Sequence, residues 1–300
     1  VVSNSLDEYI IRELIRRLKE KRVSISLPSL RLDSILKDAL EETQKERKTS
    51  LTFAPEAGTQ RLRDVINKGV TEEDLIEKVR DAFEGGWSSV KLYFMMGLPS
   101  ETYEDLDGIA ALADKVVAQY FAVPKAQRAK GLRVTCSASV FVPKPFTPFQ
   151  WEQQITPQEY LRRCKLLKSH FYSKSIEYDY HSPDLSRLEA VFARGDRRLG
   201  TVIENAVSRG ARLDGWDEYF NYAKWFDAFQ ECGVDADFYT TRGYGEEEIL
   251  PWDTIDVGVS KKFLKLERKR AYEEKITTDC RHGCAGCGAE RLLKEVACDA

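Results

Sequence analysis

Short apolar runs alternate with longer stretches in the first half of the chain, and the longer stretches carry an apolar residue every three or four positions. The runs at 23–27, 50–54, 89–96 and 133–142 have the length and composition of strands. The stretches between them predict helices at 6–18, 34–45, 59–67, from 71 to Gly85, and from 103 to about residue 120. Strand–helix repeats at this spacing form right-handed parallel units. The pattern therefore predicts an α/β fold, either an open doubly wound sheet or a barrel.

The pattern changes after Trp151. From there the periodicity is helical, and the linking segments are aromatic and acidic. Helices are predicted at 161–170, 183–193, 200–209, 217–232 and 261–275. We therefore divide the chain into a parallel α/β part (1–150), a mainly α-helical extension (151–275) and a cysteine-rich tail (276–300).

Composition narrows the class of protein. The 300 residues carry a formal net charge of -3 with both signs well mixed, which argues against a strongly basic nucleic-acid surface. No apolar run approaches the length of a membrane span. Seven cysteines in 300 residues do not form a disulfide scaffold, and three of them are clustered. We expect a reducing, cytoplasmic environment, no membrane association and a metal site.

Two loops after predicted strands carry candidate binding residues. Glu56 follows a strand directly, where a carboxylate can hold an ammonium or hydroxyl group of a ligand; the alternative is a cap for the helix that starts near Thr59. The loop 97–102 begins with Gly97, which allows a flat ligand to approach the backbone closely. A plain turn is the simpler interpretation of that loop.

The third candidate is Cys280-Arg-His-Gly-Cys284-Ala-Gly-Cys287, a C-x3-C-x2-C run. Three thiolates are one short of a closed zinc or iron–sulfur site. The fourth ligand is Cys298 or His282, or the position is open.

Several long motifs, in order, resemble one enzyme family. They are Leu51-Thr-Phe-Ala-Pro-Glu-Ala-Gly-Thr, Leu92-Tyr-Phe-Met-Met-Gly-Leu-Pro-Ser-Glu-Thr, Ser139-Val-Phe-Val-Pro-Lys-Pro-Phe-Thr-Pro-Phe-Gln-Trp, Arg194-Gly-Asp-Arg-Arg-Leu and Leu250-Pro-Trp-Asp. Together they resemble radical S-adenosylmethionine (radical SAM) enzymes, and more narrowly an uncharacterised branch with an upstream cobalamin-binding domain.

The resemblance implies a full or partial parallel (β/α) barrel, here a partial one with its first strand missing. In that family three cysteines hold a [4Fe-4S] cluster, whose fourth iron binds S-adenosylmethionine and cleaves it to a 5′-deoxyadenosyl radical. By position, Glu56 matches a contact to the methionine part of S-adenosylmethionine, and Lys68 matches a basic position in the following helix. The implied residues near the adenine are Met96, Gly97, Phe141, Val142 and Pro143. Ser29 and Arg31 are weaker candidates after an earlier strand.

The sequence differs from the family in where its cysteine motif lies along the chain. The family's C-x3-C-x2-C follows the first strand, which by our strand count precedes Val1. Cys280, Cys284 and Cys287 come after the barrel instead. We therefore expect them to bind an auxiliary iron–sulfur cluster or a structural zinc, unless 276–290 folds back over the barrel mouth to replace the radical cluster.

We thus expect a fragment of a radical SAM enzyme that is inactive alone and whose catalytic residues the sequence does not identify. The full protein would need S-adenosylmethionine, an electron donor and an unknown substrate. Its reaction would be cobalamin-dependent methyl transfer, through the missing upstream domain, or modification of RNA or protein. The alternative is a non-catalytic barrel scaffold with a zinc knuckle that binds RNA or a protein partner.

Overall fold

A computed structural model describes residues 50–280 and 282–292, together with Glu13 and Arg17. The elements expected before residue 50 lie outside these residues, and so do Ser29, Arg31 and Cys298. The chain divides into two compact units, and each is described by itself. Within the described residues, the first unit comprises 50–139 and 163–180, and the second comprises 140–162 and the residues from 181 onward.

A parallel sheet of four strands, in the order β1-β2-β3-β4, is the framework of the first unit in the part of the chain that the structure describes. The strands are β1 (Leu51–Glu56), β2 (Ser89–Met96), β3 (Arg133–Val140) and β4 (Ile176–Tyr180). Alternate residues of β1 and β2 are buried, and the others are half-buried. Parallel strands with intervening helices confirm the α/β fold class, and they are the arrangement that a partial barrel requires.

Three helices connect the first three strands: α1 (Gln60–Val65), α2 (Glu72–Glu84) and α3 (Tyr103–Ala122). The predicted start of α2 is confirmed by a capping box. Thr71 Oγ1 accepts the N–H of Asp74 at 3.1 Å, and Asp74 Oδ2 accepts the N–H of Thr71 at 2.8 Å. Leu75, Val79 and Phe83 are buried along one face of this helix, as its periodicity predicts.

Strand β4 was not predicted. It lies in a region that we expected to be mainly helical, and it pairs in parallel with β3, from Val134 opposite Ile176 to Ala138 opposite Tyr180. The strand has only five residues, Ile-Glu-Tyr-Asp-Tyr, and none of them is fully buried. A strand this short and polar has too weak an apolar pattern to be recognised from sequence.

The second unit is mainly helical within the described residues. It contains the start of α4 (Pro157–Ser169), whose residues from 163 belong to the first unit, followed by α5 (Pro183–Arg194), α6 (Leu199–Ser208), α7 (Tyr222–Glu231) and α8 (Lys261–Tyr272). A 3-10 turn at Ala289–Leu292 ends the described chain. One apolar cluster joins α5, α6 and α7 around Val191, Val202 and Phe229.

A second apolar cluster of this unit gathers around Trp151, Tyr244 and Trp252. These residues come from loops rather than helices, so the loops of the unit are packed and not peripheral. None of the helices that the structure describes has both the length and the apolar character needed to cross a bilayer. The division at residues 150 and 275 stays a prediction.

Candidate functional site

The carboxyl ends of β1 and β2 lie at the same edge of the sheet in the first unit. Glu56 is the last residue of β1 and is paired with Phe94 of β2, after a register shift that begins at Phe53. Its φ is 66°, in the left-handed region that residues other than glycine avoid. Such a conformation costs roughly 1–3 kcal/mol and is concentrated at ligand sites. The strained residue is thus the one that the sequence analysis placed in contact with a ligand.

Glu56 forms an ion pair with Lys68, the second predicted residue of this loop. Lys68 Nζ lies 2.9 Å from Glu56 Oε1, and the two side chains are 28% and 24% exposed. Lys68 is placed by the end of α1, where its N–H donates to the carbonyl of Arg63 at 2.9 Å. The pair combines a carboxylate and an ammonium within reach of solvent.

Buried hydrogen bonds hold the backbone beside this pair. Arg63 is 1% exposed, and its Nη1 donates to the carbonyl of Ala57 at 2.9 Å. Burial lowers the pKa of Arg63 from its usual value. The residue after Ala57 is Gly58, and a Cβ there would lie 2.3 Å from Ile109 N and 2.4 Å from the carbonyl of Asp105. The loop after β1 therefore rests directly on the backbone of α3, and only glycine permits that approach.

Asp105 links the same loop to the start of α3. Its carboxylate accepts hydrogen bonds from Thr59 Oγ1 and Arg61, and from the N–H of Thr102 at 2.8 Å. Burial alone would raise the pKa of Asp105, but these donors hold it below its usual value. The ionised Asp105 thus fixes the loop after β1 to the loop after β2.

The end of β2 contains the next two predicted residues. Met96 is fully buried, so its side chain is part of the core. Gly97 has φ 86°, which suits glycine, and its N–H donates to Glu101 Oε2 at 2.7 Å. Ser100, with φ 61°, completes this tight loop.

Glu101 is a residue of this site to which the sequence analysis gave no role. Its side chain is 2% exposed and forms an ion pair with Arg163, whose side chain is 16% exposed. Burial raises the pKa of Glu101 to about 7, although the N–H of Gly97 and the charge of Arg163 both favour the carboxylate. Arg163 follows Glu101 by 62 residues, so the sequence contains no local signal of the pair.

The remaining predicted residues near the adenine, Phe141, Val142 and Pro143, belong to the second unit. Phe141 and Val142 are each 8% exposed. The carbonyl of Phe141 accepts Gln154 Nε2 at 3.3 Å, and the carbonyl of Pro143 accepts Arg194 Nη1 at 3.4 Å. The segment after β3 is therefore held by its carbonyl groups.

Two buried polar residues, Gln154 and Arg194, bond to this segment, and a third, Gln150, lies close to it in the sequence. Gln150 Oε1 accepts Trp252 Nε1 at 2.7 Å, and Arg194 Nη1 also donates to the carbonyl of Glu152 at 2.8 Å. Arg194 further lies 4.5 Å from the ring centre of Tyr244. The sequence analysis noted Arg194 and Trp252 only as parts of matching motifs, because their partners are 42 and 102 residues away.

The C-terminal cysteines lie at the surface of the second unit. Cys280 and Cys284 are exposed, and Cys287 is half-buried. Among the described residues, no three His, Cys, Asp or Glu side chains converge on a point where they could hold a metal ion. The metal assignment to these cysteines therefore stays a prediction.

Comparison with known proteins agrees with the resemblance seen in the motifs. Residues 3–113 match the family model described as the Radical SAM superfamily, which confirms the resemblance to radical SAM enzymes but does not support the upstream cobalamin-binding domain. The chain is 29% identical over 235 residues to an uncharacterized protein of Methanocaldococcus jannaschii; the alignment covers 78% of this chain and 49% of that protein. The chain thus spans about half the length of the curated relative it matches.

The solved structures that match include the N-acetylneuraminate lyase of Proteus mirabilis. It is 12% identical, and the alignment covers 90% of this chain and 94% of the lyase with a TM-score of 0.24. That score is too low to relate the two folds.

The matched segment 3–113 contains no cysteine, since the first cysteine of the chain is Cys136.

Proposed function

We propose, from the match of residues 3–113 to the Radical SAM superfamily, that the first unit binds S-adenosylmethionine at the carboxyl ends of β1 and β2. The superfamily generally uses this molecule together with a [4Fe-4S] cluster. Ligands of parallel α/β folds bind beyond the carboxyl ends of the strands. Glu56 and Gly97 lie at those ends.

The observation that carries the proposal is the ion pair between Glu56 and Lys68. An amino acid such as the methionine part of S-adenosylmethionine presents an ammonium and a carboxylate. When the pair opens, Glu56 can hold the ammonium and Lys68 the carboxylate, so each charge exchanges one partner for another. Both side chains are about one quarter exposed, which leaves them accessible to a ligand.

The loop that starts at Gly97 would form the adenine side of the site through its backbone. Glu101 does not contact the ligand in this proposal, because its side chain is buried against Arg163 and the N–H of Gly97. It is a positioning residue for the loop. Phe141, Val142 and Pro143 remain proposed contacts to the adenine.

The described residues include partners for the amino-acid part of S-adenosylmethionine, but they do not include a set of ligands for the [4Fe-4S] cluster. No described trio of side chains converges on one ion, and residues 3–113 contain no cysteine. When bound, the superfamily's cluster supplies the electron that cleaves S-adenosylmethionine.

The proposal extends to the reaction of the whole protein, which is cobalamin-dependent methyl transfer or the modification of RNA or protein. The whole protein would receive its electron from a donor and would work in the cytoplasm. These expectations concern the whole protein, and the chain covers 49% of the length of its curated relative.

The proposal is tested by the equilibrium affinity of the purified chain for S-adenosylmethionine, measured by calorimetry. Glu56→Gln and Lys68→Met should each weaken binding by about tenfold or more, since a hydrogen bond to a charged group contributes about 1.5–3 kcal/mol. The matched control is Glu72→Gln, which breaks the exposed pair between Glu72 and Lys115 in the same unit. It should leave the affinity unchanged.

Two results would contradict the proposal. One is wild-type protein that does not bind S-adenosylmethionine. The other is a loss of affinity that is equal in Glu72→Gln and in the two site variants, because the loss would then follow from charge or stability rather than contact. Salt-dependent binding of RNA without binding of S-adenosylmethionine would favour the non-catalytic scaffold.

A further inference from the structure

Cys284 and Cys287 have the same local geometry. Each sulfur accepts a hydrogen bond from the backbone N–H two residues further along the chain. Gly286 N lies 3.4 Å from Cys284 Sγ, and Ala289 N lies 3.4 Å from Cys287 Sγ. Both distances are within the range for a hydrogen bond to sulfur. The run Cys-Ala-Gly-Cys-Gly-Ala therefore forms two successive turns, each around one cysteine sulfur.

Glycine makes both turns possible. Gly286 has φ 71° and Gly288 has φ 95°, conformations that L side chains rarely adopt. At Gly288 a Cβ would also lie 3.1 Å from the carbonyl of Gly258. The glycines are thus required by the course of the backbone around the sulfurs.

The second turn is anchored to the start of α8. Ser260, the N-cap of that helix, donates its N–H to the carbonyl of Cys287 at 2.9 Å. Arg291 Nη2 donates to the carbonyl of Gly258 at 3.4 Å, on the other side of the turn. Cys287 is therefore held in place before any ligand binds.

Cysteine sulfur binds metals in its thiolate form. Cys136 lies in a different environment. It is fully buried, and burial raises its pKa to about 12, as expected for a structural thiol. Two thiolates at C-x2-C spacing form half of a tetrahedral zinc site.

We propose that Cys280, Cys284 and Cys287 bind one zinc ion, with Cys284 and Cys287 as the ligands already in position and Cys280 as the third. Because no three described ligands converge yet, the exposed Cys280 moves toward the other two sulfurs when the ion binds. Two sulfurs three residues apart in one tight loop can meet at a single zinc ion. This proposal does not depend on the proposed S-adenosylmethionine site.

The test measures metals bound to the purified full chain by mass spectrometry, after gel filtration in a weak chelator. We expect about one zinc per chain in the wild type. Cys280→Ser, Cys284→Ser and Cys287→Ser should each lose most of it. The matched control is Cys232→Ser, a half-buried cysteine of the second unit outside the loop. It should retain the wild-type zinc content.

A second measurement covers the case in which a variant does not fold. Wild-type chain is stripped of zinc, refilled with cobalt(II), and examined for the thiolate-to-cobalt charge-transfer band. The stripped chain should also expose three additional thiols to a thiol reagent, and added zinc should protect them again. Iron with matching sulfide in place of zinc would overturn the proposal. So would protein without metal whose loop thiols zinc does not protect, or variants that keep their zinc.

Discussion

The buried pair between Glu101 and Arg163 makes a specific prediction about the pH dependence of stability. The perturbation is Glu101→Gln, which preserves an oxygen acceptor for the N–H of Gly97 but cannot ionise. Burial raises the pKa of Glu101 from its ordinary 4.5 to about 7 in the folded chain. In the unfolded chain the carboxyl is exposed to water and ionises at its ordinary pKa.

The sign follows from proton counts. Between these two pKa values the folded protein keeps a proton that the unfolded protein releases, so the free energy of unfolding falls as the pH rises. The contribution of Glu101 is fully present below pH 4.5 and is lost as the pH rises through about 7. At 1.36 kcal/mol per pKa unit, the loss is about 3 kcal/mol.

The assay compares the free energy of unfolding of wild type and Glu101→Gln at a series of pH values, by hydrogen exchange in urea. Peptides from β2 and α3 report on the first unit alone, which avoids treating a chain of two units as one transition. The stability difference, wild type minus variant, should decrease by about 3 kcal/mol between about pH 4.5 and about pH 8. Groups common to both proteins cancel in this difference.

A difference that stays constant over this range would refute the reasoning. A difference that increases with pH would show that Arg163 and the N–H of Gly97 outweigh burial, and that the folded pKa is depressed. The control Glu77→Gln removes an exposed carboxylate from α2 of the same unit. It should change the stability by no more than about 0.5 kcal/mol.

Two further predictions concern packing. Gly58→Ala should destabilise the first unit by at least about 2 kcal/mol, because the added Cβ would overlap the backbone of α3. Gly200→Ala should stabilise the second unit by about 0.5–1 kcal/mol, because this residue of α6 has open space for a Cβ. Urea melts followed by hydrogen exchange measure both changes. Trp252→Phe should cost about 1–3 kcal/mol in the same assay, because Gln150 loses a buried donor, while Trp216→Phe, at a site 62% exposed, should be nearly neutral.

The helices and strands of the first unit could be predicted where apolar residues recur at a regular spacing in the sequence. The run Ser89–Met96 has the bounds of β2, and Thr71 caps α2 as expected. Alternate residues of β2 are fully buried, and the other face is half-buried. Local patterns were sufficient because strand length and helix capping depend on neighbouring residues.

The support of the candidate site could not be predicted in this way. Glu56 and Gly97 stand out because they follow strands directly, and Lys68 was found only through the family resemblance. Glu101 and Gln150 look like ordinary loop residues in the sequence. Their roles depend on Arg163 and Trp252, and only the folded backbone shows that these distant residues meet.

The return of the chain to the first unit has a consequence for how this protein can be divided. The polypeptide leaves that unit after Ser139, re-enters it at Arg163 and leaves again after Tyr180. A truncation after residue 150, where the predicted α/β part ends, would remove β4 and leave the N–H and C=O groups of β3 unpaired along one edge. Such an open edge is a template for pairing with other chains. The truncated product should aggregate, and a soluble form of the first unit would need β4 reconnected to β3 by a linker in place of 140–162.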